Sequence, residues 1–431
     1  MTSATWLHDG YFTAEARSAD PAIAVAIEDE LNRQRDVIEL IASENIVSRA
    51  VLDVQGSVLT NKSVEGYVGR RYHGGATHVD VVERLAIERA CALFQCNFAN
   101  VQPHSGSQAN HAVLHAVAQP GETILGMALN AGGHLSHGAP YNVSGKWFNV
   151  VSYGVRAQDG LIDYDEVEDL ARTHRPKLII AGGSAYPRAL DFPAFRRIAD
   201  AVGAKLLVDM AHFAGLVAGG AHASPLPYAD VVTTTTYKSL RGPRGAIILS
   251  QEKPLAKRID EAVFPGIQGT PALHVLAGKA VCLGEALKPE FRRYAEAVLA
   301  NARTLARRLQ DHGYGLVGGG TDTPLMLLDL TGSGVTGNVA APVLERAGLT
   351  CNMNPVPTDP PKLPYMSGVR FGTSACTTRG FGTVEFEMVG DMIAEALAAL
   401  RRDPCGDTTA LEAATMARVR TITRRFPIYP S

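Results

Sequence analysis

Hydrophobic residues recur with two different periods along the middle of the chain. Short runs of aliphatic and β-branched residues predict buried strands, and charged segments with apolar residues three and four positions apart predict surface helices. Strands that alternate with helices are typical of a largely parallel sheet covered on both faces, so the pattern predicts an α/β fold. The predicted strands are Thr123–Met127, Leu178–Ala181, Leu206–Asp209, Val231–Thr236 and Ala246–Leu249, and the helices between them lie near Tyr164–Thr173 and Phe192–Ala201.

Helical periods also precede this region. Residues 1–20 show no period and predict an irregular arm, after which a surface helix is expected to pack on a partner subunit or on the small domain. The predicted helices here are Ala22–Leu40, Asp80–Phe94 and a helix that begins within Asn100–Asn110 and continues to about Val117.

The C-terminal part of the chain has mixed periods. A long helical stretch begins after Thr270 and continues past Arg308, and Leu325–Asp329 has the apolar run of a strand. A proline-rich loop follows at Asn354–Pro361. The pattern predicts an N-terminal arm and helix over residues 1–44, a large domain over residues 45–300 and a smaller C-terminal α+β domain over residues 301–431.

The composition is that of an ordinary globular protein. Of 431 residues, 46% are hydrophobic and 19% are charged, and the formal net charge of −2 argues against nucleic-acid partners and polybasic membrane binding. No apolar run approaches the roughly 20 residues of a membrane span. The six cysteines form no CxxC pair and no metal-ligand spacing, so we expect reduced thiols and no metal. Because the N-terminus around Trp6, His8 and Asp9 lacks a signal pattern, we predict a cytoplasmic protein.

A single lysine, Lys238, follows the strand predicted at Val231–Thr236. Gly242, Pro243 and Gly245 come soon after it and rule out a regular helix, so the lysine lies on a tight loop at a strand end. Active-site groups of α/β proteins collect at such ends. A lysine there is either a solvated loop charge or a nucleophile that forms a Schiff base.

An aspartate, Asp209, ends the preceding predicted strand, and His212 follows three residues later. Pyridoxal phosphate chemistry needs a lysine to hold the cofactor and a carboxylate to keep its pyridine nitrogen protonated. Asp209 and Lys238 are 29 residues apart, each at a strand end, so a parallel or mixed sheet would present both from one edge. The pair therefore favours a pyridoxal phosphate site over an unrelated turn former and loop charge.

Three other segments carry candidate binding groups. Small residues at Ser105–Ser107 open a helix, where free backbone N–H groups either hold a phosphate or are capped by a serine. The segment from Gly56 to Gly75 combines glycines with charged and aromatic residues, as binding loops do. Arg370 is a lone arginine near the end of the chain, and it is either a partly solvated edge residue or a bidentate partner for a substrate carboxylate.

Several of these residues lie in segments that form a recognisable set: LIASEN, NVQPHSGSQAN, GGHLSHG, VDMAH, VVTTTTYKSLRGPRG, FPGIQG and SGVRFGT. Together they resemble the serine hydroxymethyltransferase family, and the resemblance runs from about residue 25 to the end. It implies a fold-type I pyridoxal phosphate enzyme whose large domain has a seven-stranded, mostly parallel sheet. It also implies tetrahydrofolate as co-substrate and a homodimer with shared active sites, or a tetramer.

The resemblance further implies roles for individual residues. The catalytic residues it implies are Lys238, Glu65, Asp209 and His134, with Glu65 as the acid/base group. Cofactor binding would fall to Ser105, Gly106, Ser107, His134, Ser184, Asp209, His212, Thr235, Lys238, Gly269 and Thr270. Substrate binding would fall to Ser43, Ser63, His73 and Arg370, and folate binding to Glu65, Tyr72, Leu129, Gly133, Leu135, Phe264 and Asn354.

The chain departs from the family pattern beside the expected cofactor site. Ser63 and His73 stand where the family carries tyrosines, and Thr270 occupies a usual glycine position. Tyr237 and Ala131 each replace a histidine. The first two changes remove aromatic bulk near the substrate α-carbon, and a packed site responds even to single methylene groups.

Extra room at that carbon favours 2-methylserine as the substrate. Retro-aldol cleavage breaks the Cα–Cβ bond and removes no α-proton, so only steric contacts exclude an α-methyl group. The expected products are D-alanine and 5,10-methylenetetrahydrofolate. The alternatives are an ordinary serine hydroxymethyltransferase and a folate-independent threonine aldolase or transaldolase. A non-catalytic regulatory or RNA-binding relative is disfavoured because Lys238, Asp209 and Arg370 are all present.

Overall fold

The computed structural model of the chain describes residues 10–360 and 363–430. The N-terminal residues around Trp6, His8 and Asp9, and Pro361 of the proline-rich loop, lie outside these ranges. A seven-stranded sheet forms the centre of the described structure, and a four-stranded antiparallel sheet lies in the C-terminal part.

The elements are numbered in chain order. The strands are β1 (Ile38–Glu39), β2 (Gly66–Tyr67), β3 (Arg70–Arg71), β4 (Phe98–Asn100), β5 (Thr123–Met127), β6 (Asn149–Tyr153), β7 (Leu178–Ala181), β8 (Lys205–Asp209), β9 (Val231–Thr235), β10 (Ala246–Ser250), β11 (Gly315–Leu316), β12 (Leu325–Asp329), β13 (Leu349–Thr350), β14 (Asn352–Asn354) and β15 (Gly368–Gly372).

Helices connect and cover these strands. The α-helices are α1 (Ala16–Ala19), α2 (Pro21–Asp36), α3 (Arg49–Gln55), α4 (Thr77–Phe94), α5 (Gly106–Val117), α6 (Val143–Trp147), α7 (Tyr164–His174), α8 (Phe192–Val202), α9 (Ala214–Ala218), α10 (Lys253–Glu261), α11 (Leu273–Ala286), α12 (Pro289–Asp311), α13 (Gly337–Arg346), α14 (Ser374–Arg379), α15 (Thr383–Arg402) and α16 (Thr409–Thr423). Short 3₁₀ segments cover Val58–Asn61, Leu129–Ala131, Leu135–His137 and Val317–Gly319, and a π-type turn covers Ala262–Ile267.

The large sheet is mostly parallel. Its strand order is β4–β10–β9–β8–β7–β5–β6, and β10 runs antiparallel to both of its neighbours while the pairs from β9 to β6 are parallel. The predicted α/β class and the predicted seven-stranded sheet are therefore confirmed. Asp209 ends β8 and Lys238 follows β9, so both leave the same edge of the sheet from neighbouring strands.

Strand β7 of the large sheet is apolar throughout because helices cover both of its faces. Along β7, Leu178 and Ile180 pack into one core while Ile179 and Ala181 pack into another. Helices α5 and α10 contribute to the first of these cores, and α4, α8 and α11 contribute to the second. Buried parallel strands of this kind present a continuous apolar run rather than an alternating one, which makes them visible in sequence.

A further core lies in the C-terminal part and includes residues from both ends of the chain. It contains side chains of β12, β15, α13 and α15, together with Ile38 and Leu40 from the segment after α2. Strand β1 pairs in parallel with β13 and fixes this segment there. Helix α12 connects the two parts, since Val298 packs into the core of the large sheet and Ala302 into the C-terminal core.

Several local predictions were wrong in detail. Helix α2 ends at Asp36 rather than at Leu40, because the following residues form β1, and the predicted irregular arm contains α1. The long helical stretch is two helices, because Pro289 begins α12 as a first-turn proline. The edge strands β4 and β6 were not predicted: β4 has only three residues, and exposed polar residues interrupt the apolar run of β6.

Candidate active site

Lys238 lies on the loop after β9, next to the strand that ends in Asp209. The register of the two parallel strands pairs Asp209 with Thr233, which places the carboxylate and the lysine at one edge. Lys238 is buried, and burial lowers the pKa of its amine to about 8, although the Asp209 charge opposes this shift. Among the described residues, no group hydrogen-bonds Lys238 Nζ. A buried lysine with a depressed pKa and a free amine is suited to attack an aldehyde.

The loop that carries Lys238 is held at the carbonyl of the lysine itself. The backbone N–H of Arg241 donates to Lys238 O over 3.0 Å, and Asn45 Nδ2 donates to the same oxygen over 2.8 Å. Asn45 Nδ2 also contacts the hydroxyl of Tyr294 at 2.9 Å. Asn45 lies in one of the recognised segments but was not predicted as a site residue, because its partner is 193 positions away in sequence.

Asp209 accepts hydrogen bonds from two side chains that were not predicted as site residues. Asn110 Nδ2 donates to Asp209 Oδ2 over 2.9 Å, and His137 Nε2 lies 3.0 Å from the same oxygen. Burial opposes ionisation of Asp209, but the hydrogen bond and charge of His137 hold the pKa of this carboxyl well below its usual range. One sequence signal existed for Asn110: it lies one helical turn after Gly106 on the same face of α5.

His134 and His212 are both kept neutral beside these groups. Burial, with His137 next in effect, lowers the pKa of His134 to about 4, and its ring centroid lies 5.4 Å from that of His137. Burial and then the charge of Lys238 lower the pKa of His212 well below its usual value. The donor atoms of His134, His137 and Asp209 lie within 4.8 Å of one another, a spacing that a metal ion could also use.

The start of α5 meets the end of β9 at a close approach. A Cβ added to Gly106 would lie 2.8 Å from Thr235 Cγ2, so glycine is needed there. Thr235 Oγ1 is buried and has no hydrogen-bond partner among the described residues. Ser105 Oγ accepts from the N–H of Gln108 over 3.2 Å, so this serine is an N-cap. A helix N-terminus beside an unpaired buried hydroxyl fits a phosphate group.

Arg370 carries a charge that no acidic group of the described chain neutralises. It lies in β15, between β12 and β14, and is therefore not an edge residue. Its Nε donates to Asn352 Oδ1 over 3.1 Å and its Nη1 donates to Ser184 O over 2.6 Å. Burial lowers the pKa of Arg370 to about 10, so the guanidinium stays charged at neutral pH.

The segment that carries Ser43 lies beside the same strand. The backbone N–H of Gly372 donates to Leu40 O over 2.7 Å, which holds the segment against β15 two residues beyond Arg370. Ser43 is half-buried in the turn that follows. The predicted substrate-carboxylate pair, Ser43 and Arg370, is therefore brought into one region of the structure.

A second group of predicted site residues surrounds Glu65. Ser63 Oγ lies 2.9 Å from Thr270 Oγ1, and the N–H of Glu65 donates to His73 Nδ1 over 3.2 Å. Glu65 Oε1 lies 3.2 Å from the point where a Cβ of Gly269 would stand. We call Ser63, Glu65, His73, Gly269 and Thr270 the Glu65 cluster. Among the described residues, no hydrogen bond or ring contact joins this cluster to Lys238, Asp209 or Arg370.

Buried charges support the β2–β3 hairpin on which this cluster depends. Arg71 in β3 pairs with Asp80 at 2.9 Å and with Glu83, both on α4. Gln102 Nε2 donates to Glu83 Oε1 over 2.7 Å and to Gly66 O over 3.0 Å. The hairpin is therefore fixed to the segment that leads into α5.

The predicted folate residues occur in two places. Tyr72 and Phe264 face each other with ring centroids 5.7 Å apart, at a cavity of about 450 Å³ that Arg70 and Lys257 also line. Leu129 and Leu135 lie in two 3₁₀ segments, Gly133 lies between those segments, and Asn354 ends β14. No hydrogen bond or ring contact among the described residues links the two sets.

Comparisons with known proteins agree on one family. A family model described as "Serine hydroxymethyltransferase" matches residues 16–393. A serine hydroxymethyltransferase from Rhodospirillum centenum is 62% identical over 421 residues, covering 98% of each chain. The serine hydroxymethyltransferase of Sphingopyxis alaskensis is 61% identical, and serine hydroxymethyltransferase 2 of Rhodospirillum rubrum is 59% identical, each over 420 residues and 97% of both chains. These names refer to serine and not to 2-methylserine.

Across residues 10–360 and 363–430, no helix is both long enough and apolar enough to cross a bilayer.

Proposed function

The chain belongs to the serine hydroxymethyltransferase family, and from this premise we propose that the Lys238–Asp209 site transfers the hydroxymethyl group of serine to tetrahydrofolate. The protein is a pyridoxal phosphate-dependent transferase of the one-carbon class, with tetrahydrofolate as co-substrate. The observation that carries the site assignment is the position of Lys238 and Asp209 at the ends of neighbouring parallel strands.

The residues present fit the aldehyde, the pyridine nitrogen and the phosphate of the cofactor. Lys238 would hold it covalently, and Asp209 would keep a proton on the pyridine nitrogen because this carboxyl remains ionised. The N-terminus of α5 and the unpaired hydroxyl of Thr235 would hold the phosphate. When bound, pyridoxal phosphate supplies an electron sink for cleavage of the Cα–Cβ bond.

Arg370 and Ser43 would bind the substrate carboxylate. A guanidinium without an acidic partner favours an incoming anion, and its planar fork matches a carboxylate. Asn352 Oδ1 and the carbonyl of Ser184 accept hydrogen bonds from Nε and Nη1 of Arg370, and these bonds orient the guanidinium. The substrate is therefore held by one end while the bond at its α-carbon is exposed to the groups around Lys238.

Glu65 would move the proton of the substrate hydroxyl, and we propose that a second copy of the chain brings it there. Among the described residues, no hydrogen bond or ring contact joins the Glu65 cluster to Lys238 of the same chain, although both belong to the expected site. A homodimer in which the Glu65 cluster of one copy completes the Lys238 site of the other would also unite the two sets of folate residues. Assembly into tetramers and a cytoplasmic location remain predictions of the sequence.

Serine is the substrate that the names of the relatives support, ahead of 2-methylserine, which the sequence pattern favoured. A second candidate function, transfer from 2-methylserine, rests on one observation. Ser63 and Thr270, both departures from the family pattern, share a hydrogen bond where a phenol ring would otherwise stand. A serine–threonine pair occupies less volume than a tyrosine, which leaves space for an α-methyl group.

The deciding experiment compares kcat/KM for L-serine and 2-methylserine, each with and without tetrahydrofolate. Turnover of serine with strict dependence on tetrahydrofolate supports the first proposal. A kcat/KM for 2-methylserine equal to or above that for serine favours the second. Equal rates with and without tetrahydrofolate, combined with preference for threonine or β-phenylserine, would instead support the folate-independent aldolase or transaldolase.

A further inference from the structure

A second buried lysine, Lys279, lies in the middle of α11 and is 1% exposed. Its Nζ donates to three backbone carbonyls: Val101 O at 2.7 Å, Pro103 O at 2.8 Å and Ala246 O at 2.9 Å. No carboxylate of the described chain forms an ion pair with it. A buried ammonium without a counterion is costly, so its three carbonyl partners must compensate.

The three carbonyls belong to the two segments that frame the cofactor site. Val101 and Pro103 lie between β4 and Ser105, the N-cap of α5. Ala246 begins β10, directly after the loop that carries Lys238, and its N–H donates to Pro103 O over 3.1 Å. The ammonium group of Lys279 therefore connects two segments. One leads from β4 to the proposed phosphate site, and the other is β10, the strand that follows Lys238.

Other side chains hold the remaining backbone groups of this approach. Gln268 Nε2 donates to Gln102 O over 3.1 Å, and the N–H of His104 donates to Gln268 Oε1 over 3.1 Å. Each residue from Val101 to His104 thus has a backbone group fixed by a buried side chain. Lys279 and Gln268 each make two of these bonds, and Lys279 is the charged member of the set.

The charge of Lys279 is needed for this geometry. Burial lowers the pKa of Lys279 to about 7. An ammonium group has three donors and a neutral amine has two, so only the charged form satisfies all three carbonyls. A Cβ at Gly245 would lie 2.4 Å from Lys279 Cε, so glycine at position 245 also keeps the lysine in place.

We infer that Lys279 is a positioning residue for the cofactor phosphate: it holds Val101–His104 so that the backbone N–H groups at the start of α5 face the phosphate. This inference rests on the proposed phosphate site at Ser105–Ser107. Lys279 does not touch the cofactor, and it acts through the carbonyls that it binds. Its loss should therefore weaken recognition of the phosphate and leave recognition of the pyridine ring largely unchanged.

The test measures binding of pyridoxal phosphate and of pyridoxal, which lacks the phosphate, to apoenzyme by calorimetry. In Lys279→Met, pyridoxal phosphate should bind about 10- to 100-fold more weakly, while pyridoxal affinity should change less than about threefold. Inorganic phosphate should raise the Tm of wild-type apoenzyme and should not raise that of the variant. None of these measurements depends on turnover.

Two further variants complete the design. Gly245→Ala keeps the lysine but pushes its ammonium group away, and it should show the same selective loss. Lys177→Met removes an equal charge from a side chain that is 58% exposed, and it should leave both affinities unchanged.

The outcomes distinguish a wrong role for Lys279 from a wrong phosphate site. Equal loss of pyridoxal phosphate and pyridoxal affinity in folded variants, or no loss of either, would overturn the role of Lys279. Failure of both Lys279→Met and Gly245→Ala to fold would also overturn it, since the lysine would then serve folding in general. If wild-type protein itself binds the two ligands equally, the proposed phosphate site is wrong and the inference loses its premise.

Discussion

The hydroxyl groups of Ser63 and Thr270 lie 2.9 Å apart, although 207 residues separate them in sequence. Both positions depart from the family pattern, and their contact shows that the departures form one local change. A tyrosine ring at position 63 that follows the direction of the serine hydroxyl would meet the threonine side chain. Reversal of one substitution alone therefore creates a clash, and reversal of both restores room for the ring.

We expect Ser63→Tyr to lower activity with all substrates and Ser63→Tyr/Thr270→Gly to recover activity with serine. With 2-methylserine, the double variant should be much less active than wild type, because the tyrosine ring crowds the substrate α-carbon. Overpacking costs about 1–3 kcal/mol, which corresponds to a roughly 5- to 150-fold change in the ratio of the two kcat/KM values. A ratio equal to that of wild type in the double variant would remove Ser63 from substrate choice.

Lys238 should be the lysine that holds pyridoxal phosphate. Borohydride reduction and peptide mapping should label it and leave Lys279, the other buried lysine with a lowered pKa, unlabelled. Covalent attachment requires the neutral amine. Because the pKa of Lys238 is about 8, the attachment rate should rise about tenfold from pH 6 to pH 7 and level off above pH 8. A rate that keeps rising to pH 10 would show an unperturbed lysine.

Arg370→Lys should raise the KM for the amino acid about 10- to 100-fold, since lysine offers a point charge in place of a planar fork. The visible absorbance of bound cofactor should stay unchanged. Asn352→Ala, which removes one hydrogen bond that orients the guanidinium, should give a smaller increase in the same KM. Wild-type kinetics in Arg370→Lys would contradict the proposed carboxylate site.

Phe264→Ala should raise the KM for tetrahydrofolate without a matching change in the KM for serine. Its ring faces Tyr72 at 5.7 Å beside the 450 Å³ cavity, where a flat aromatic ligand would contact both rings. The loss of one aromatic contact is worth about 0.5–1.5 kcal/mol, or roughly 2- to 12-fold in KM. Parallel increases in both KM values would indicate a distorted site instead of a folate contact.

Strands buried on both faces were predicted with high accuracy. The bounds of β5, β7 and β12 agree with the predicted Thr123–Met127, Leu178–Ala181 and Leu325–Asp329 because these strands are uninterrupted apolar runs. Edge strands β4 and β6 could not be found in this way. Each has a neighbouring strand on one side only, and such edges tolerate polar residues. The break between α11 and α12 was not predicted, because the helical spacing of apolar residues continues from one helix into the next.

The positions of Lys238 and Asp209 at strand ends were predictable, and the residues that hydrogen-bond them were not. Lys238 and Asp209 each follow an apolar run, a signal contained in a few neighbouring residues. Asn45 and Asn110 act through hydrogen bonds to residues 193 and 99 positions away, which no local pattern reports. Lys279 likewise has the appearance of an ordinary helical lysine until its burial is known.

The placement of Val64 has a consequence for how this protein family diversifies. Val64 is fully buried in the core of the large sheet, while Ser63 before it is exposed to solvent. Substitutions at exposed positions usually change the free energy of unfolding by less than about 0.5 kcal/mol. Selection can therefore change the exposed residues of this segment at little cost to folding, with Thr270 as the partner that must change when position 63 takes a larger side chain, while the buried valine keeps the segment in the same register.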